Sequence, residues 1–142
     1  MIAPKKVISF MAHKQDRNQQ HTLATNQAAN IVFAEVLDSV LSFLEHAGHK
    51  VGLAANIAIT ERLWNFEMPA DSRRVLKARL MRNQPLERLQ LDITVVANVF
   101  QVIYEELCGE VGPVITDRAC QFAINKASQL EAATVYSPKD QN

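Results

Sequence analysis

The sequence predicts an all-α fold, a single-domain bundle of about five helices, and three observations predict it. Apolar residues recur every three or four positions over long stretches, the spacing that lines them along one side of a helix. With 48% hydrophobic and 21% charged residues and only four glycines in 142, the composition is globular and helix-leaning. Glycine and proline fall mostly between the periodic stretches, where they end or restart helices. A chain of this length can bury roughly two-thirds of its unfolded surface, so stability requires neither a metal nor a disulfide.

Residues 1–25 read as an N-terminal arm, because Pro4, Lys5, Lys6, Lys14 and the polar run from His13 to His21 keep no sustained period. Thr22 or Thr25 is placed to cap the first periodic helix. Over residues 28–47, Phe33, Leu37, Val40, Leu44 and Ala47 follow a four-three repeat, flanked by Val32, Val36, Leu41 and Phe43. Glu35, Asp38, Ser42 and Glu45 form a narrow polar stripe opposite. So wide an apolar face predicts burial on more than one side. Gly48 stands just past the last periodic position, where a left-handed terminating residue is usually glycine.

A second helix over 51–66 places Leu53, Ile57, Thr60 and Trp64 on one face, with Ile59, Leu63 and Phe66 beside it and Gly52 weakening its first turn. Met68 and Pro69 break the pattern, and Pro69 with Asp71 suits the start of a third helix over 70–82. That helix turns Val75, Leu76 and Leu80 to the core and Arg73, Arg74, Lys77, Arg79 and Arg82 elsewhere.

Asn83 as a cap and Pro85 as an early proline open the helix around which the chain is organised, residues 84–109. Leu86, Leu89, Ile93, Val96, Phe100, Ile103 and Leu107 make its seam, widened by Val95, Val99 and Val102. The β-branched run 93–96 would suit a strand, but the long period decides for helix. Gly112 and Pro113 open the last helix, in which Ile115, Ala119, Phe122, Ala123, Ala127 and Leu130 form a face of partly small residues that lets a neighbour approach closely. Residues 135–142 read as a short C-terminal tail.

Fifteen basic and fifteen acidic residues cancel, which removes the whole-molecule case for nucleic acid or an anionic membrane. Val7 to Ala12 is too short an apolar stretch for a signal core or a membrane span. Cys108 and Cys120 lack the density of a disulfide scaffold, so a reducing cytoplasm is the expected setting. The charge is locally polarised: residues 62–88 hold seven basic and three acidic side chains, residues 89–142 three and seven. The basic helix, with Arg73, Arg74, Lys77, Arg79 and Arg82, is therefore the candidate surface for an anionic partner. As the start of a helix-turn-helix it fails, because the following helix carries only Arg88 and is predominantly apolar.

No reactive constellation emerges. His46 and His49 lack a third metal ligand nearby and suit helix-end contacts with the last carbonyls. Cys108 sits beside Glu105 and Glu106, which disfavour a thiolate. Asp117 and Arg118 read as terminal charge complementarity and a surface ion pair. No phosphate-binding glycine motif occurs, so no catalytic residue, cofactor or metal is assigned. A non-enzymatic protein-interaction or regulatory module ranks first among function classes, a nucleic-acid-binding module using residues 70–82 second, and a small-ligand binder or enzyme assembled from distant residues third. Self-association as a dimer is expected, because the apolar faces of residues 28–47 and 84–109 are wider than one neighbouring helix requires.

Overall fold

The computed structural model describes residues 19–86, 89–130 and 133. Among them are five helices and no strand: α1 Gln19–His46, α2 Leu53–Leu63, α3 Ala70–Arg82, α4 Ile93–Val111 and α5 Pro113–Ala127. The all-α bundle read from the periodicity is what forms. Residues 1–18 of the expected arm and the tail 135–142 lie outside the described residues.

Helix α1 is the longest and begins earlier than its apolar period, so residues 19–25 are helical and Thr22 and Thr25 are not caps. Its far end behaves as expected: Gly48 takes φ +85°, and the His49 N–H closes on the Leu44 carbonyl at 2.7 Å. Val32, Phe33, Val36, Leu37, Val40 and Leu44 are buried. The closest partner of α1 is α5, which meets it more extensively than any other helix pair does. Ala119, Ala123 and Ala127 of α5 are wholly buried, and side chains this small let two backbones approach closely.

Across the core Phe33 meets Phe100 of α4 edge-on, with ring centroids 6.5 Å apart and planes at 82°, a favourable arrangement of ring quadrupoles. The wide apolar faces of α1 and α4 are thus covered by other helices of the same chain. That removes the ground on which they were expected to need a second copy. The stretch Thr25–His46 is long and apolar enough by composition to cross a bilayer, as core helices of soluble bundles also are.

Helix α4 starts later than the period suggests. Leu86 and residues 89–92 are not helical, and Asn83 closes α3 in a left-handed conformation, φ 56° and ψ 37°, instead of opening α4. The reason is competition for backbone donors. Asn30 of α1 accepts from the Leu91 N–H at 2.9 Å and donates to the Leu91 carbonyl at 2.8 Å. Ser72 of α3 accepts from the Gln90 N–H at 2.9 Å, and Asn26 accepts from the Ile93 N–H at 3.2 Å. With these groups taken by other helices, α4 starts at Ile93, where Asp92 accepts from the Thr94 N–H at 3.1 Å as its N-cap.

Candidate functional site: the outer face of helix α2

Helix α2 is shorter than residues 51–66, with Gly52 as its N-cap and Leu63 as its last residue. It buries Ala55, Ile59 and Leu63. The face formed by Leu53, Ile57 and Trp64 points away from the core, at 62%, 40% and 62% exposure. Steps of four and seven residues keep these side chains in line, because seven residues are close to two helical turns. The helix therefore has two apolar faces, and the fold uses one. Periodicity identifies both, but which of them meets the core depends on neighbours far away in sequence.

Charged side chains lie on two sides of the helix. Toward α3, the Arg73 guanidinium lies 5.1 Å from the centroid of the Trp64 ring, within cation–π range, and donates to the Phe66 carbonyl at 2.6 Å. Lys77 lies with Arg73 and Trp64 around the same shallow crevice. Toward α4, Arg62 pairs with Glu105 at 2.8 Å and Glu106 at 3.1 Å. The Gln101 amide and the Arg62 guanidinium hold the Glu105 carboxyl below the usual range, and the two glutamates hold Arg62 above its own. Arg62 and Glu105 are well exposed and Glu106 partly so, so the pairs contribute little to stability.

The basic helix is less available than its sequence suggests. Arg79 donates to Asp38 of α1 at 2.6 Å and to Asn83 at 2.5 Å, and its side chain is nearly enclosed. Arg73 is committed to Phe66 and Trp64, and Arg74 pairs with Asp71 in the first turn of its own helix. Lys77 and Arg82 are exposed. The five residues thus do not make one free cationic face.

Asp117 is the clearest correction among single residues. It is 5% exposed and accepts a hydrogen bond from the Tyr104 hydroxyl, while its Oδ2 is buried without a hydrogen-bond partner. Arg118 is exposed, so the expected surface ion pair is not formed. Burial, then the bond to Asp117, pushes the Tyr104 phenol well above its ordinary range. Burial, with Asp117 and Cys108 nearby, pushes the Cys120 thiol up to about 12. Both cysteines are free thiols. His46 turns back on its own helix, its Nδ1 2.8 Å from the Ser42 carbonyl, the helix-end contact expected of it.

A second concavity, about 930 Å³, runs between α1 and the non-helical stretch before α4. Ile31, Leu89 and Leu130 supply apolar lining, and Glu35, Asp38 and Asp92 supply carboxylates. No family model, curated protein or solved structure matches the chain.

Proposed function

We propose that this protein is a non-enzymatic helical interaction module that self-associates through the outer face of α2. The observation that carries the reading is the exposed line Leu53, Ile57 and Trp64 on a helix whose other apolar face already lies in the core. Large aromatic and aliphatic side chains in such a line are the material of interface centres, where burial of apolar area drives association. The surrounding charges suit a rim. The setting is a reducing cytoplasm, in which Cys108 and Cys120 remain thiols.

Trp64 is the single tryptophan of the chain, so its fluorescence reports on this face alone. On raising the concentration through the micromolar range, its emission should shift to the blue and its quenching by iodide should fall. Emission and quenching that stay constant over that range would reject the face.

A second reading, a binder of a small amphiphilic cation, is favoured by the groove of about 930 Å³, where Glu35 and Asp92 lie beside Ile31 and Leu89 and the third carboxylate, Asp38, is already paired with Arg79. Its volume falls in the range of small-molecule sites. Hexylamine should then raise Tm, and Glu35→Gln should abolish the rise; equal shifts in both proteins would reject it.

A further inference from the structure

We infer that the groove between α1 and the stretch before α4 is the docking site of this chain's own N-terminal segment, with Val7, Ile8, Phe10 and Met11 on its apolar lining and the flanking lysines on its carboxylates. The inference rests on the reading of the groove as a site for an amphiphilic cation and names the occupant. The groove runs from one anion over an apolar floor to another. Asp92 stands at one end, level with Asn26, whose amide donates to it at 3.5 Å. Glu35 stands nine residues further along α1, about 14 Å at the helical rise. Between the two, Ile31 is 55% exposed and lines the groove with Leu89. Glu35 accepts from the Ser39 hydroxyl at 2.6 Å, and Asp92 from Thr94. Neither has a cationic partner among the described residues, whereas Asp38 is paired with Arg79.

Residues 1–18 carry the matching order. Lys5 and Lys6 precede the apolar Val7, Ile8, Phe10 and Met11, and Lys14 and Arg17 follow them, against a single acid, Asp16. The other end of the chain does not match, because residues 134–142 hold one lysine and one aspartate. Opposite charges steer and orient such a contact, and burial of apolar area supplies most of its strength.

The distances agree. Helix α1 begins at Gln19, so Asn26 lies about 10 Å along it. Doubling back from Gln19, the five residues to Lys14 extend up to about 17 Å, enough to bring that ammonium level with Asp92. The eight residues from Lys14 to Lys6 span about 12 Å if helical and up to about 28 Å if extended, which brackets the separation of the two carboxylates. Lys5 and Lys6 then lie at Glu35, and the apolar residues lie on Ile31 and Leu89. The docked segment closes the groove to other amphiphilic cations and so acts as a built-in competitor for it.

The test uses the full chain, mixed one to one from ordinary and nitrogen-15-labelled material and treated with a carbodiimide that joins amine to carboxylate at contact distance. Adducts of Lys5 or Lys6 with Glu35, and of Lys14 with Asp92, are expected, each within a single isotope. In the variant Ile8→Ser/Phe10→Ser, whose changes lie outside the five helices, the yield of both should fall by about tenfold, the factor that one apolar side chain left unburied removes from docking. Hexylamine should raise the Tm of this variant at about one-tenth of the concentration that the parent needs, because the competitor is weakened by that factor. Absence of both adducts, undiminished yields in the variant, or adducts that join the two isotopes would overturn the docking. A hexylamine effect equal in parent and variant would overturn it too, while leaving the groove a cation site. No hexylamine effect in either protein would overturn both readings.

Discussion

The side chain of Asn30 holds both backbone groups of Leu91, 61 residues away, accepting from its N–H at 2.9 Å and donating to its carbonyl at 2.8 Å. The pair is buried, so neither Leu91 group has water to fall back on. Asn30 therefore fixes the stretch that precedes α4 against α1.

Asn30→Ala should destabilise the protein by about 2–4 kcal/mol, since it strands a buried donor and a buried acceptor together. Asn30→Asp should not rescue it, because a carboxylate can accept from the Leu91 N–H but repels the Leu91 carbonyl. Urea unfolding of the three proteins checks both statements. A loss under about 1 kcal/mol for the alanine variant, no more than one ordinary hydrogen bond, would mean that the stretch is held elsewhere.

Asp92 gives a pH dependence. Its bonds from the Thr94 hydroxyl and N–H, with help from Asn26, hold its carboxyl below the usual range. A group with a depressed folded pKa stabilises the protein fully above its unfolded value, about pH 4, and loses that contribution as pH falls through the folded value. Asp92→Ala should cost about 1 kcal/mol at neutral pH, as a lost helix cap does. The gap from the parent protein should narrow below about pH 4, where the unfolded carboxyl takes up its proton. A gap that widens in acid would contradict the assignment.

Tyr104 and Asp117 form a buried polar pair, one member of which is a carboxylate with a second oxygen already unpartnered. Tyr104→Phe should cost about 1.5–3 kcal/mol, the range for a hydrogen bond to a charged group. Adding Asp117→Leu should recover part of that loss, because it removes the buried charge left without its donor. Strict additivity in the double-mutant cycle would show that the two side chains do not interact.

Thiol labelling separates the two cysteines. Cys120 is 1% exposed with its thiol pushed up to about 12, while Cys108 is only half-buried. In native protein at mildly alkaline pH, iodoacetamide should modify Cys108 first and leave Cys120 until the chain unfolds. Equal rates at the two positions would show that the α4–α5 contact opens readily.

The legible part of this fold is what a local period can express. The third helix forms over the expected residues, Gly48 adopts positive φ at the end of α1, and the alanines of α5 lie against α1; the end of α4 is not where it was expected, since the helix runs through Gly109 to Val111 and turns at Gly112. The start of α4 is illegible in the sequence because it is set by Asn26, Asn30 and Ser72, side chains contributed by two other helices. The stretch before Ile93 keeps the apolar spacing of a helix, while Leu91 is buried from a backbone that is not helical. Asp117 misleads because charge at a helix beginning usually complements the dipole, whereas here Tyr104 draws it inward. The face on α2 is visible as a pattern, but its orientation is not. The self-association expected from the breadth of α1 and α4 rests instead on Leu53, Ile57 and Trp64.

Sedimentation equilibrium tests that claim most directly, with the parent chain and the variant Leu53→Ser/Ile57→Ser/Trp64→Ser compared at micromolar concentration. All three positions are exposed, so the variant should keep its helical circular dichroism and its thermal unfolding transition. The parent should approach twice the monomer mass of 15.9 kDa as concentration rises, and the variant should remain at the monomer mass throughout. A parent chain that stays at 15.9 kDa over a tenfold range of concentration, or a variant that dimerises as well as its parent, would contradict the account.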